Sequence, residues 1–379
     1  MAARQETLAA STGLEQRVKK AWEGSAKSVF LLPTVLVILL LSIFPLVASL
    51  FVAFNRVQLV RGGFNFTFLG LGNFNKLLFG TEVRRFIGKL SAPHPLWIIA
   101  AIIIGCVALY LMYQYWHSPK RTVFGLMMRI ITIVIFAVIF SAAMFTLGDE
   151  GLPGAIVVTL IFVFTGVFFQ YMLGLGLALL VTQNLKGKRF FRVVFLLPMM
   201  ITPVGVGFLF RMMVDTVKGP LSPIWIGLGL GDISWADSPF GARAAVMIGD
   251  TWQWTPFMFI ILLAALEGIS REQVEAALVD GAQRWGLFRH IMLPEIVPVS
   301  ITVILIRMIE AFKIIDMPNI LTGGGPGTAT EPMSLYAYNT WRSQDYGLSA
   351  ASAYILLFIV TFVAMVIVNL VRPYLMERL

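Results

Sequence analysis

Glu275-Ala276-Ala277-Leu278-Val279-Asp280-Gly281, nine further residues, then Ile291-Met292-Leu293-Pro294 make a short polar stretch wedged between two long apolar ones. Ser270 followed by Gln273 has the spacing of an N-cap and its capping-box partner, which predicts a short helix running through Val279. Asp280-Gly281 breaks it, because glycine accepts the positive φ that closes a helix. A second short helix is predicted over 282–289, with Pro294 ending the segment, since the residue before a proline disfavours the helical region. Val274, Ala277 and Leu278 fall on one face, with Trp285, Phe288 and Ile291 on the next. The expected product is a stiff two-helix foot with a mixed apolar and charged surface, able to pass on a rigid-body push.

The flanking chain says where that foot stands. Of 379 residues, 58% are hydrophobic and 13% charged, with a mean hydropathy of +0.84; soluble domains carry about 25% charged residues. Apolar runs at about 29–54, 96–116, 124–147, 154–183, 190–213, 244–268, 297–318 and 347–371 are each long enough to cross a hydrocarbon core of about 30 Å. With the N-terminal tail inside, the basic residues Arg17, Lys19, Lys20, Lys120, Arg121, Lys186, Lys188, Arg189, Arg192, Arg271, Arg284, Arg289 and Arg372 fall on the cytoplasmic side. They and their neighbours outnumber the basic residues outside, which places both termini inside. The loop 55–95 carries most of the exceptions, including Arg56, Arg61, Arg84 and Arg85, while the short outer turn at 148–153 is acidic. The first apolar run is too long for a signal-peptide core, so an uncleaved first span is expected. Residues 14–22 read either as an interfacial amphipathic helix or as a solvated tail.

Several function classes drop out. The net charge of +9 has no aromatic–basic interleaving around it, so it reads as membrane-facing charge and not as a nucleic-acid surface. A single cysteine, Cys106, excludes a disulfide framework. His94, His117 and His290 lie far apart and lack metal-ligand spacing.

Two further stretches carry information. Gly174-Leu175-Gly176 precedes a basic turn, Lys186-Gly187-Lys188-Arg189, and then Leu196-Leu197-Pro198 and Pro203. The glycines permit close helix packing. The prolines free backbone carbonyls at mid-membrane, either to line a cavity or simply to kink a structural helix. Leu321-Thr322-Gly323-Gly324-Gly325-Pro326-Gly327 cannot be helix or strand and makes a pre-shaped loop. It lacks the Gly-Lys-Ser/Thr ending of a phosphate-binding loop.

The full spacing from Glu275-Ala276-Ala277 through Gly281 to Ile291-x-Leu293-Pro294 resembles the cytoplasmic loop of binding-protein-dependent ABC importer permeases. The likeness is close over 160–372, looser over 29–83 (Phe68-Leu69-Gly70-Leu71-Gly72-Asn73-Phe74) and absent over 90–150. The glycine loop, followed by Thr330-Glu331, Tyr336, Tyr338 and Tyr346-Gly347, resembles the extracytoplasmic loop of the carbohydrate (maltose-like) branch.

This resemblance implies an all-α polytopic membrane protein of about eight spans with both termini cytoplasmic. A six-helix type I importer core would carry an inserted two-helix hairpin, whose even number of spans preserves the topology downstream. The expected parts are a tail at 1–28, the first core helix and its outer loop at 29–89, the inserted hairpin at 90–150, and the core at 151–379. The coupling loop lies at 270–296. In that reading Glu275, Ala276, Ala277, Asp280, Gly281, Ile291, Leu293 and Pro294 couple to an ATPase. Gly323, Gly324, Gly325 and Pro326 belong to the loop that docks an extracytoplasmic binding protein.

The family implies a second permease subunit, two ATPase subunits and a bacterial-type inner membrane. ATP and Mg would sit on the ATPase, with no cofactor on this chain and no covalent chemistry done by it. A translocation path is assigned to Trp252, Gln253, Trp254, Glu310, Asp316, Pro198 and Pro203. Indoles stack on sugar faces while Gln and Asp, Asp250 included, bond hydroxyls, but tryptophans also serve as belt residues. Arg307, Glu310, Lys313 and Asp316, at every third residue, are expected to pair as Arg307–Glu310 and Lys313–Asp316, forming either a polar wall of the path or a self-neutralised ladder. The rivals are a permease of the same architecture for a non-sugar solute (polyol or glycerophosphodiester) and a membrane enzyme or scaffold.

Overall fold

The computed structural model describes residues 30–117, 123–147, 152–183, 186–231, 235 and 237–376. The tail with its expected segment 14–22, and most of the acidic turn, lie outside them. Helix α1 (Phe30–Ala53) leads into a β-hairpin of β1 (Asn55–Val60) and β2 (Gly63–Phe68), then two short helices, α2 (Gly72–Leu78) and α3 (Val83–Phe86). Strand β3 (Gly88–Lys89) precedes the long helices α4 (Pro95–Trp116) and α5 (Val123–Thr146) and pairs with β4 (Leu152–Pro153) beyond them. The rest is helical: α6 (Ala155–Thr182), α7 (Lys188–Met200), α8 (Pro203–Met213), α9 (Ser222–Gly227), α10 (Pro239–Glu267), α11 (Arg271–Val279), α12 (Arg284–Ala311), α13 (Asp316–Leu321), α14 (Met333–Arg342) and α15 (Tyr346–Met376). The molecule is thus largely α-helical, and the two small β-ladders are features the apolar pattern did not announce.

Seven of these helices are long and apolar enough to span a membrane, or eight if a bent pair is one span. That pair corrects one expected span. The run 190–213 is not a single helix but α7 and α8, bent by 95° at Ile201-Thr202. Proline explains the break. Pro203 pushes Thr202 out of the helical region, and Thr202 then caps α8, its Oγ1 accepting from Gly205 N at 3.3 Å. The carbonyl of Ile201, orphaned at the break, accepts from Gln253 Nε2 at 3.3 Å.

A second correction concerns Pro294, which does not end a helix. Helix α12 starts at Arg284 and continues through Pro294 and Pro298 to Ala311, so the expected span 297–318 also stops short. The chain accommodates Pro294 by widening the turn before it. Phe288–Met292 is π-helical, with Leu293 N–H bonded to Phe288 O. Helix α1 does the same ahead of Pro45, with a π turn at Leu39–Ile43 and Phe44 N–H on Leu39 O. A proline ring collides with the carbonyl four residues back, and one extra residue in the turn moves that carbonyl away.

Helices α6 and α10 form the centre. Gly174 lets them meet: a Cβ there would stand 2.5 Å from Met258 Cβ. Gly176, expected to do likewise, faces open space. Val163, Val167, Met258, Phe259 and Leu262 are buried around this seam, which suits helices whose association in lipid rests on packing and not on water exclusion. The 29 residues of α10 run about 44 Å. Near one end Arg243 donates from Nε to Ala329 O at 2.8 Å, reaching the glycine-loop region. At the other, Glu267 pairs with Arg192 of α7 just before the foot.

Helices α4 and α5 pack on each other, Trp97 against Phe140, and α5 also touches α6, but no residue in their membrane-length stretch is fully buried. Their base is closed by the β3–β4 ladder, Gly88 opposite Pro153 and Lys89 opposite Leu152. Two glycines make that closure possible. A Cβ on Gly88 would meet Leu152 O at 2.5 Å, and one on Gly154 would meet the Ile87 carbonyl carbon at 2.4 Å.

Candidate functional site

The foot is built from α11 and the first turns of α12. Ser270 Oγ accepts from Gln273 N at 3.4 Å and opens α11. Gly281, at φ +82°, closes it: Gly281 N–H bonds Leu278 O at 3.1 Å and Ala282 N–H bonds Ala277 O at 2.9 Å. This double closure satisfies two terminal carbonyls at once and requires a left-handed residue. No atom lies within 4 Å of a Cβ built on Gly281, so backbone conformation alone demands glycine there.

The coupling residues expected from sequence divide into two groups. Glu275, Ala276, Asp280 and Gly281 lie on the free face. Ala277, Ile291, Leu293 and Pro294 are half-buried; Leu293 and Phe288 pack on the core and hold the foot to the spans. Val274 also packs inward, whereas Leu278, expected on the same face, is exposed. Val279 is 88% exposed and Trp285 69%. A polar hairpin that leaves Leu278, Val279 and Trp285 uncovered is an unfinished surface.

The far end is finished. The glycine loop puts Gly323, Gly324 and Gly327 at positive φ and turns through a cis Gly325–Pro326 bond. Thr330 ties it together, donating to Gly325 O at 2.9 Å and bonding Thr322 Oγ1 at 2.6 Å. Gly324 is buried against Glu331 and Leu335, so of the four loop residues expected to dock a partner it faces inward. Glu331, 2% exposed, takes a bidentate pair from Arg85 at 2.8 and 2.6 Å and a third bond from Asn339 at 2.7 Å. The hydrogen bond to Glu331 raises the Arg85 pKa. Tyr336 donates to Glu82 at 3.1 Å, and its burial, with that carboxylate beside it, pushes the phenol up.

Between the ends lies a polar clamp that the expected pairing missed. Arg307, 2% exposed, does not pair with Glu310. It bonds Asp250 Oδ2 from Nη2 at 2.7 Å and Gln170 Oε1 from Nε at 2.8 Å, while Gln170 Nε2 donates to Asp250 Oδ2 at 2.8 Å. The guanidinium also stands 4.7 Å over the Trp254 ring. Glu310 pairs instead with Lys313 at 2.8 Å on the exposed side, and Asp316 sits on α13, beyond the helix end, so the Lys313–Asp316 pair does not form. The clamp joins α6, α10 and α12. Gln170 was not singled out from sequence, and its only signal is a lone amide in a 28-residue apolar helix.

The expected path residues are dispersed. Trp254 faces the clamp and Gln253 faces the α7–α8 break. Trp252 opens onto a cavity of about 1080 Å³ between α6, α7 and α10, walled almost wholly by apolar side chains such as Phe169, Leu173, Phe195, Met247 and Ile248. Pro198 lines this cavity and Pro203 does not. Among the described residues, no group of three or more His, Cys, Asp or Glu is placed to hold a metal ion.

A bundle of membrane-length helices with a broken span and an exposed helix–glycine–helix foot defines a polytopic membrane protein built to act with others. The chain belongs to the family of binding-protein-dependent transport system inner membrane components, whose model matches residues 170–379. It is 37% identical over 194 residues to the trehalose/maltose transport system permease protein of Thermococcus litoralis, covering 51% of this chain and 66% of that one, just under two-thirds. It is 31% identical over 278 residues to the sulfoquinovosyl glycerol transport system permease protein of Agrobacterium fabrum, covering 72% and 88%. The fold is similar to that of a chain in a bacterial alginate ABC transporter solved with an alginate pentasaccharide-bound periplasmic protein (TM-score 0.53, 20% identity, 73% of this chain and 95% of that one).

Proposed function

We propose that this chain is the permease subunit of an ATP-driven importer. It would sit in an inner membrane with both termini cytoplasmic, a six-helix core and an added hairpin α4–α5. An extracytoplasmic solute-binding protein delivers the solute at the glycine-loop end. Two ATPase subunits grip the foot of this chain and the matching foot of a second permease. ATP closure pushes on Asp280-Gly281, and because α12 runs unbroken from Arg284 to Ala311, the push reaches the clamp at Arg307 as a movement of one rod. Alternating access follows from rocking that rod and α10. ATP and Mg belong to the ATPase.

The observation that carries this reading is the foot, with its left-handed Gly281 and its uncovered Val279 and Trp285. Its test is mild-detergent purification of the chain from its own membrane, with crosslinking from position 281. Capture of an ATPase, with hydrolysis that rises when a binding protein and its solute are added, is the expected result. A chain that remains alone after crosslinking removes the coupling assignment.

The solute class is the finer part of the proposal. Relatives named for trehalose/maltose, lactose and starch degradation products support a carbohydrate. The second reading is the same machine importing a non-sugar solute such as a polyol or glycerophosphodiester, since the apolar walls of the cavity at Trp252 carry little that would single out a sugar. Competition binding to the partner binding protein separates the two.

A further inference from the structure

The register of β1 and β2 sorts their side chains onto two faces. Leu59 stands opposite Phe64, Val57 opposite Phe66 and Asn55 opposite Phe68, while the alternate pairs are Arg56 with Thr67 and Gln58 with Asn65. Facing pairs in an antiparallel ladder share a side of the sheet. One side therefore carries Val57, Leu59 and three phenylalanines, and the other is polar. Val57 is buried, but Leu59, Phe64, Phe66 and Phe68 remain 57, 55, 46 and 75% exposed. Residues 55–68 include two cations, Arg56 and Arg61, and no aspartate or glutamate.

Ring contacts fix where the apolar side lies. Phe66 stands 5.7 Å from Phe51 in the last turn of α1, and Phe64 stands 5.9 Å from Tyr346, which opens α15. Leu69 N–H bonds Phe54 O at 2.9 Å and holds the base of the hairpin to the end of α1. Helix α1 turns its other side to α15, Ser49 Oγ meeting the Tyr354 hydroxyl at 3.2 Å. Phe44, Val47 and Phe51, spaced three and four residues apart, form an exposed apolar stripe away from that contact. Phe66 carries the stripe past the end of the span, so the bare side of α1 and the apolar face of the hairpin are one continuous surface.

A two-stranded hairpin is marginal by itself in water, and four large apolar side chains left uncovered on it make a patch that calls for a partner. Its unpaired strand edges keep it out of the hydrocarbon core, where open backbone groups find nothing to bond. The layer that meets both demands is the boundary between headgroups and acyl chains. It takes apolar side chains on one side and leaves arginines among the phosphates on the other.

We propose that the β1–β2 hairpin lies in the membrane surface at the Ala53 end of α1. Leu59, Phe64, Phe66 and Phe68 seat in the headgroup–acyl boundary, and Arg56 and Arg61 reach the lipid phosphates. The occupant of the apolar face is lipid, because that face continues the bare stripe of a spanning helix and the hairpin brings cations with no acid. The proposal needs only that α1 spans a membrane, and does not depend on the transport reading.

The test uses the full-length protein with its co-purifying subunits in liposomes, in a Cys106→Ser background, since Cys106 is the chain's one cysteine. A nitroxide is attached through Phe68→Cys and, in a separate sample, through Thr67→Cys on the polar face. Its collisions with oxygen, which concentrates in lipid, are compared with its collisions with a water-soluble nickel chelate. Position 68 should give an oxygen-to-nickel ratio severalfold above that at position 67. A ratio at 68 equal to or below that at 67 places the face in water and overturns the proposal. Shielding of position 68 from both reagents would put a protein partner on the face and overturns it as well. Should Phe68→Cys not accumulate, Leu59→Cys against Gln58→Cys reads the same two faces by the same criterion.

Discussion

The foot and the glycine loop occupy opposite ends of the same helices, and both depend on left-handed glycines, yet they are built on opposite principles. The loop end ties itself down: Glu331, Met333, Leu335 and Tyr336 are all enclosed, although Phe79 and Trp341 nearby stay exposed, and the Arg85–Glu331 pair joins residues more than two hundred positions apart. The foot leaves Leu278, Val279 and Trp285 largely exposed, while Val274, Phe288 and Leu293 anchor it to the spans and Gly281 turns its backbone. One end is a cap whose loop is tied internally by buried polar bonds. The other is half an interface, rigid in its own backbone and incomplete in its surface. A transmission element needs that combination, because a soft foot would absorb a push and a finished one would offer nothing to grip.

Four sets of substitutions would break or sharpen that contrast. The largest effect is expected at the foot. Gly281→Val places a β-branched residue at φ +82°, costs about 1–2 kcal/mol locally, and should abolish uptake while membrane insertion and spans survive; normal uptake would sink the foot assignment. Next is the cap. Arg85→Ala leaves Glu331 buried with only Asn339 beside it, and should lower the stability of the purified assembly by about 3 kcal/mol in thermal or denaturant unfolding. Glu331→Ala should cost less, because Arg85 is part-exposed and rehydrates. An equal loss for the two would mean the cap is not held by a buried carboxylate.

The third set, Val279→Ser with Trp285→Ser, should cost the purified chain little, no more than the Trp285–Phe288 ring contact, about 1 kcal/mol. It should weaken ATPase capture by about 2 kcal/mol for the area no longer buried, read as a dissociation constant. A larger stability loss would show those side chains packing within the chain. The smallest effect is Lys313→Gln. Its pair with Glu310 is exposed on both sides, so a change of a few tenths of a kcal/mol at most is expected by unfolding.

Features set by local spacing were readable from the chain. Apolar length located the spans, Ser270-x-x-Gln273 located the start of α11, and Asp280-Gly281 located its end. What escaped was decided at a distance. Arg307 has Glu310 three residues away, a pairing that helix geometry permits, but the fold brings Asp250 and Gln170 to the buried side of α12 and leaves Glu310 for Lys313. A buried charge takes the partner that shares its desolvated site, and sequence spacing does not report that. The prolines misled in both directions. The spacing makes Pro294 a terminator, yet a π turn carries the helix past it, whereas Pro203 splits what the apolar pattern draws as one span. Hydropathy sees the same run of side chains in both cases and is blind to backbone hydrogen bonds.

The β3–β4 ladder has a consequence for how such a chain can be edited. Facing residues in an antiparallel ladder stand about 5 Å apart, a gap that a tight turn crosses. Lys89 and Leu152 are such a pair. Excising 90–151 and rejoining through a two-residue turn such as Asn-Gly therefore keeps the remaining strands in register, and removing two crossings together returns the chain to the side it left. The hairpin is thus joined at one seam, and losing it would ask the bundle to re-cover only the small patch where the end of α5, Thr146 included, now packs.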